Sequence, residues 1–286
     1  MRAALILLAA CAALSACGSG KKHGAAAGGG SGDLIPSCYA DAGLDANRPP
    51  SAQALFVVID QTTGLDDRLR ATVAKAAKAL VARRGDVALY TFSAIDRTHY
   101  PTLVASGTVE TPVASGDRAS LSVKRLERLD KCLGQQLDFA QTAFATRLAA
   151  ATGDATAQYS HSAIQTGLTQ ISQAVARSHA PTKIVLLVSD MLEHSDITSF
   201  YDHHKLRLID PAAELARSKQ AGAIGDFGGA RVIVVGAGLL AADAGQDAER
   251  ATPALRALHD FWTVWFAASN AKLTDYGEPD LVNPIE

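Results

Sequence analysis

The chain has 286 residues, of which 48% are hydrophobic and 20% charged, a composition typical of a folded globular protein rather than a disordered one. Its 27 Lys and Arg against 29 Asp and Glu give a formal net charge of −2, and this balance does not indicate a nucleic-acid partner. The length suffices for one large domain or two small ones.

The first sixteen residues have the pattern of an export signal. Arg2 supplies a positive charge, and an uninterrupted run of apolar or small residues follows over 3–13. The run is shorter than the about 20 residues that a membrane-spanning helix needs, but it suits the apolar region of a signal peptide. The sequence Leu14-Ser15-Ala16-Cys17 then resembles the lipobox of bacterial lipoproteins, in which the Cys is lipidated and becomes the new N-terminus.

This resemblance implies a signal peptide at 1–16 and a lipid on Cys17. It also implies a lipid-anchored protein of the bacterial cell envelope that faces the periplasm. Gly18 rather than Asp follows the Cys, which by family analogy favours the outer membrane over the inner membrane. The alternative is an ordinary cleaved signal peptide with an accidental Cys. Residues 17–33 are rich in Gly, Ala and Ser, which predicts a flexible lipidated tether.

The cysteines support an exported protein. Cys11 would leave with the signal peptide and Cys17 would carry the lipid, so that Cys38 and Cys132 remain. In an oxidising compartment two remaining cysteines are expected to form a disulfide, and the alternative is two unpaired thiols. Neither belongs to a Cys-x-x-Cys motif, so a thioredoxin-like redox site is not indicated.

From residue 53 onward, strand patterns alternate with helix patterns. Continuous apolar runs predict strands buried on both faces at 54–59, 183–189 and 231–235. More polar strands are predicted at 86–93, at 102–111 (an edge strand between two prolines) and at 271–276. Helical spacing predicts helices at 69–80, 121–151 with a break near Gly134, 164–175, 211–219, and from Thr252-Pro253 onward.

This alternation predicts an α/β fold, a three-layer sandwich with a mostly parallel central sheet and helices on both faces. The predicted organisation adds an N-terminal extension at 34–52 to one α/β domain at 53–286. Trp262 and Trp265 have the spacing of core residues on the last helix and are predicted to pack there, with a carbohydrate-binding platform as the alternative.

Asp60 and Asp190 each follow one of the buried strands. Ligands of parallel sheets bind beyond the carboxyl ends of the strands, so we expect both carboxylates at one crevice. Residues 53–276 resemble a von Willebrand factor A domain, a family that binds a divalent cation, usually Mg²⁺. Its site uses an Asp-x-Ser-x-Ser loop after the first strand, a later Thr, and an Asp after a central strand. The matching positions here are Asp60, Thr62, Ser162 and Asp190.

The resemblance implies that these four side chains hold Mg²⁺ or Mn²⁺, with a partner's carboxylate completing the shell of about six oxygens that Mg²⁺ prefers. Gly64 stands at the second hydroxyl position of the loop and offers no ligand. The alternative is that Asp60 and Thr62 only cap the following helix and that Asp190 only caps a turn. A solvated recognition rim over the crevice is predicted from Glu193, His194, Asp196, His203 and His204.

The sequence of residues 236–241, Gly-Ala-Gly-Leu-Leu-Ala, imitates a dinucleotide fingerprint, but no strand ending in an acidic residue follows at the required distance, so no nucleotide partner is predicted. We expect non-catalytic binding of another envelope protein at the crevice. The alternative is a metal-dependent envelope hydrolase, with His161 or His194 acting beside the two Asp residues.

Overall fold

The computed structural model describes residues 34–93, 101–153, 162–202, 205–239 and 248–277. The predicted signal peptide and tether, with Cys17, lie outside the described residues, as do His161, His203 and His204. The described residues belong to one compact unit. Within these ranges, no helix combines the length and the apolar character that crossing a membrane requires.

The strands of the described chain are β1 (Gln53–Asp60), β2 (Gly85–Phe92), β3 (Thr102–Val109), β4 (Thr182–Val188), β5 (Tyr201–Asp202), β6 (Lys205–Leu206), β7 (Ala230–Val235) and β8 (Ala271–Tyr276). Six of them form one sheet in the order β3-β2-β1-β4-β7-β8, and β5 pairs with β6 in a short hairpin. All neighbours in the large sheet run parallel except β2 and β3, which are antiparallel.

The helices are α1 (Cys38–Ala42), α2 (Asp67–Val81), α3 (Ser115–Arg118), α4 (Val123–Gly153), α5 (Ile164–Arg177), α6 (Pro211–Gln220) and α7 (Ala248–Ala268). Helices α2 and α4 pack on one face of the sheet, and α5 and α7 pack on the other. The predicted three-layer α/β sandwich is therefore confirmed.

Two predicted helix details are wrong. Helix α4 runs without a break through Gly134, because buried residues on both sides of it, among them Leu133 and Phe144, hold one continuous helix against the sheet and α1. Helix α7 begins at Ala248 rather than at Thr252-Pro253, so Pro253 lies inside the helix. A glycine costs a helix only about 1 kcal/mol, which packing on either side offsets.

The continuous apolar pattern of β1 follows from burial on both faces. Successive side chains of a strand point to opposite faces. Leu55 and Val57 alternate with Phe56 and Val58 between the two cores, and every residue of the strand is buried. Trp262 and Trp265 are fully buried on α7, so their predicted role in packing is confirmed.

The candidate crevice lies at the centre of the sheet, at one edge of its strands. The chain runs from β1 to β2 on one side and reaches β4 on the other, so the strand order reverses between β1 and β4, the position where open α/β sheets bind ligands. Ile59 of β1 pairs with Val188 of β4, which brings the ends of both strands to the same edge.

Candidate functional site

Asp60, Thr62 and Ser162 meet in one hydrogen-bonded chain at this edge. Asp60 ends β1, and its Oδ1 accepts hydrogen bonds from the Thr62 hydroxyl at 2.6 Å and the Thr62 backbone N–H at 2.9 Å. The Thr62 Oγ1 lies 3.0 Å from the Ser162 Oγ, and all three residues are buried. The structure thus brings together three of the four residues predicted to share a metal.

The Asp60 carboxylate has no solvent contact and is surrounded by neutral donors. Its Oδ2 accepts a hydrogen bond from the Ser189 hydroxyl at 2.7 Å. Burial raises the pKa of Asp60 above its usual range, and the hydrogen bonds from Thr62, Ser189 and Thr63 act in the opposite direction. The buried negative charge is therefore stabilised by dipoles.

Asp190 joins the same site through the turn that follows β1. Its backbone N–H donates to the Thr63 Oγ1 at 3.0 Å, and its Oδ1 accepts from the Leu192 N–H at 2.9 Å. The residue keeps some solvent exposure. Burial, followed by the charge of Asp60, raises the pKa of Asp190 well above its ordinary value. A cation between the two carboxyl groups would favour the ionised form of both.

The donor set fits a small divalent cation. Two oxygens bound side by side to Mg²⁺ at about 2.0–2.1 Å lie about 3 Å apart, which matches the Thr62–Ser162 separation of 3.0 Å. These hydroxyls and the carboxylates of Asp60 and Asp190 are the side chains that would hold the ion. Gly64 contributes no side-chain ligand, as the sequence predicts.

Glu193 does not belong to the solvated rim, and that prediction is wrong. Its side chain is fully buried, where Oε2 accepts from the Gln165 N–H at 2.9 Å and Oε1 accepts from the Ser195 hydroxyl. The N-cap residue of α5, Ala163, offers no side-chain cap, so the Glu193 carboxyl caps this helix from outside. Burial is the main cause that raises the pKa of Glu193 to about 8.

His194 and Asp196, two other residues of the predicted rim, keep solvent exposure. His194 is half-buried and Asp196 is exposed. The backbones of His194 and Ser162 exchange two hydrogen bonds of 2.9 Å each, and the His194 Nδ1 lies 2.9 Å from the Ser199 Oγ. The His194 backbone therefore also holds the backbone that carries the Ser162 hydroxyl.

Four residues of the site were missed from the sequence. The Ser189 hydroxyl donates to Asp60, and the Thr63 hydroxyl accepts from the backbone N–H of Asp190. The only sequence signal for these two residues was a hydroxyl side chain next to a position that matches the family motif. The charges of Asp190 and Asp60 contribute, after burial, to raising the pKa of Tyr201, which places its phenol close to the crevice. Trp262 donates its indole N–H to the Met191 carbonyl at 2.8 Å, and no sequence pattern predicts this contact.

The glycine-rich turn after β7 supports the crevice from behind. Gly236 has a φ of +97°, and a Cβ there would lie 3.3 Å from the Ser189 carbonyl oxygen. The Gly238 N–H donates to the Asp190 carbonyl at 2.8 Å. Gly236 and Gly238 of the Gly-Ala-Gly turn thus lie next to the residues that follow β4, and the positive φ of both positions favours glycine.

Among the described residues, no three His, Cys, Asp or Glu side chains cluster closely enough to hold a metal ion by themselves. The candidate centre differs because hydroxyl groups supply half of its predicted side-chain ligands. Neither protein-family models nor the curated proteins contain a match to this chain.

Proposed function

We propose that the chain is a lipid-anchored envelope protein whose von Willebrand factor A-like domain binds another envelope protein without catalysis. The binding surface is the crevice at the ends of β1 and β4, and Mg²⁺ or Mn²⁺ held by Asp60, Thr62, Ser162 and Asp190 takes part in the contact. Cys17 carries the lipid that anchors the protein to the outer membrane on its periplasmic side.

The observation that carries this proposal is the convergence of the Thr62 and Ser162 hydroxyls, 3.0 Å apart, beside the buried carboxyl group of Asp60 and next to Asp190, whose backbone contacts Thr63. The bound cation would supply a positive charge that compensates Asp60 and Asp190 and an open coordination position toward solvent. A carboxylate of the partner protein is the oxygen ligand that this position would accept.

The hydrolase alternative has less support. A general base must reach the reacting group by a hydrogen bond. The Nδ1 atom of His194, one of the two candidates, already faces the Ser199 hydroxyl, and His161 lies outside the described residues. The disulfide between Cys38 and Cys132, which confirms the prediction from the cysteine count, suits an exported protein under either alternative.

The metal part of the proposal is tested by calorimetric titration of Mg²⁺ and of Mn²⁺ into the full chain, purified in detergent and freed of metal with a chelator. We expect heat that fits one ion per chain. The heat should disappear in the Asp60→Ala, Asp190→Ala double variant and in Thr62→Val. Asp196→Asn is the matched control, since it removes an exposed rim carboxylate and should bind metal normally.

The partner is tested in membranes. A photoreactive amino acid at position 196, on the exposed rim, should cross-link a second envelope protein in the presence of Mg²⁺. The cross-link should be lost with chelator and in Thr62→Val. An absence of heat at millimolar metal would contradict metal binding at this site. A cross-link that forms equally with chelator and in Thr62→Val would show that the partner binds elsewhere.

A further inference from the structure

Within the described part of the chain, helix α5 carries polar side-chain atoms that are buried without a hydrogen-bond partner. They are the Nε2 and Oε1 atoms of Gln165 and the Oγ1 atom of Thr169. Gln165 is fully buried, and its amide group can donate two hydrogen bonds and accept two. A buried polar group without a partner costs the folded state its full desolvation penalty, so native interiors almost always provide one.

Gln136 of α4 shows how this protein satisfies another buried glutamine. Its Oε1 accepts from the Glu110 N–H at 2.8 Å, and its Nε2 donates to the Pro36 carbonyl at 2.8 Å and to Glu110 Oε2 at 3.1 Å. Gln165 differs, because only its backbone N–H is engaged, with Glu193 Oε2 at 2.9 Å. The side-chain amide of Gln165 is therefore left for a partner that the protein chain does not supply.

The hydroxyl group of Thr169 also differs from those of other helical threonines. Thr142, Thr152 and Thr263 each donate to the carbonyl four residues earlier at 2.9 Å, a local bond that is common for threonine in helices. Thr169 does not make this bond, although the carbonyl of Gln165 stands four residues before it. The Thr169 hydroxyl is therefore available to a group that lies beside the helix.

The two side chains lie on one side of α5, because residues four apart on a helix are neighbours, with Cβ atoms about 5–6 Å apart. No direct hydrogen bond joins them. Other segments cover this side of the helix. The Glu193 carboxyl group contacts it at Gln165, and the Asp226 N–H donates to Ser172 Oγ at 3.1 Å. Buried donors and acceptors that do not reach each other are the setting in which proteins hold an internal water.

We propose that Gln165 and Thr169 together bind one internal water molecule. The water accepts a hydrogen bond from Gln165 Nε2, donates one to Gln165 Oε1 and makes a third with Thr169 Oγ1, and buried waters typically make about three. An ion fits less well, because none of the three atoms carries a charge that would compensate it. Gln165 follows the predicted ligand Ser162 by three residues, so the water stabilises the start of the helix after this ligand. The inference requires neither a metal nor a partner at the crevice.

Overhauser effects from water test the site in the wild-type protein. They are recorded by NMR on the deuterated full chain in detergent, with rotating-frame detection to separate dipolar contact from chemical exchange. We expect a dipolar cross-peak between water and the side-chain amide protons of Gln165. Gln136 is the matched control, since its amide is buried but bonded within the chain, and it should give none. The absence of a cross-peak at Gln165 would overturn the proposal.

Thr169→Val tests the same water through stability, because bound water and an unpartnered hydroxyl predict opposite signs. If the water is bound, the substitution removes one of its hydrogen bonds, and the equilibrium constant for unfolding from urea denaturation rises about 3- to 10-fold. If the hydroxyl has no partner, the substitution removes a buried polar atom and the constant falls. Thr142→Val, on the exposed side of α4, is the control for helix propensity and should change the constant less than about 2-fold.

A double-mutant cycle tests whether both residues bind the same water. Gln165→Met keeps an unbranched side chain of similar length and removes the amide. Combined with Thr169→Val, it should raise the unfolding constant by less than the product of the two single effects, because the second substitution acts on a water already lost. Effects that simply multiply would overturn a shared water. The wild-type NMR experiment remains decisive if the double variant does not fold.

Discussion

The hydroxyl oxygens of Thr62 and Ser162 lie 3.0 Å apart, although 100 residues separate them in the chain. The Thr62 hydroxyl already donates to Asp60, so Ser162 is the donor between the two hydroxyl groups. Thr62 sits in the turn after β1, and the backbone of Ser162 is held by His194 on the rim. Two separate segments of the chain thus bring two hydroxyl groups together beside the buried Asp60 carboxyl group.

Replacing Thr62 by valine tests how much this chain of hydrogen bonds stabilises the domain. The variant keeps the shape of the side chain but leaves the buried Asp60 carboxylate without its 2.6 Å donor. We expect the free energy of unfolding in chelator to fall by about 1–3 kcal/mol, measured by urea denaturation. Thr198→Val, on the half-exposed rim, should change it by less than about 0.5 kcal/mol. Equal losses in both would contradict a special role for Thr62.

The buried carboxyl group of Glu193 predicts a specific pH dependence. Its pKa in the folded protein is raised to about 8 from 4.5, so the folded state keeps a proton that the unfolded state releases over this range. The stability that the protonated group contributes is complete below about pH 4.5 and is lost as the pH rises toward 8. The contribution of Glu193 to the free energy of unfolding should therefore fall as the pH rises, by at most about 1.4 kcal/mol per unit.

Glu193→Gln isolates this effect, since the amide stays neutral and retains an oxygen to cap α5. Urea denaturation of both proteins at pH 5, 6, 7 and 8 should give curves that diverge, with the variant gaining relative stability as the pH rises. Comparing the two proteins cancels the contributions of Asp60 and Asp190, which both share. Parallel curves would show that Glu193 is ionised in the folded protein at neutral pH.

The fold could be predicted from the sequence because burial on both faces leaves a continuous apolar run. The segments that became β1, β4 and β7 have no polar interruption, and the amphipathic segments between them can cover only the faces of such a sheet. The position of Asp60 at a strand end followed from the same pattern. The sequence carries less information about the order of the strands. In a parallel sheet with crossover connections, however, the carboxyl ends of the strands lie at one edge, so this edge could still be predicted to hold the site.

The inner surface of the site could not be predicted in the same way. The residues around Glu193 have the composition of a solvated loop. Only the folded chain shows that its side chain turns inward and caps α5 at Gln165, which is 28 residues away. Trp262 reaches the Met191 carbonyl across 71 residues. Contacts of this kind depend on where whole elements pack, and neither helical nor strand periodicity carries that information.

The Trp262 indole is expected to hold the turn after Asp190 in place. Met191 has a φ of +62°, an unfavourable conformation for a residue with a side chain, and its carbonyl accepts the indole N–H at 2.8 Å. Trp262→Phe keeps an aromatic ring but removes this donor. We expect a loss of about 1–3 kcal/mol in urea denaturation and weaker metal heat. Unchanged metal heat in a destabilised variant would limit Trp262 to packing.

Two helical glycines should respond in opposite ways to alanine. At Gly134 in α4 nothing lies within 4 Å of the position that a Cβ would occupy, whereas at Gly167 in α5 the Cβ would lie 2.8 Å from the Phe92 ring. Gly134→Ala should stabilise the domain by about 1 kcal/mol, because alanine is the better helix former.

Gly167→Ala gains the same propensity but must displace Phe92, which is buried against α5 at the end of β2. We expect a net loss of about 1–3 kcal/mol, the usual cost of overpacking a core. Urea denaturation of both variants under one set of conditions measures the difference. Phe92→Leu in the Gly167→Ala background should recover part of the loss, since the shorter side chain makes room for the Cβ. If Gly167→Ala were instead more stable than the parent protein, the added Cβ would have to lie farther from the Phe92 ring than 2.8 Å.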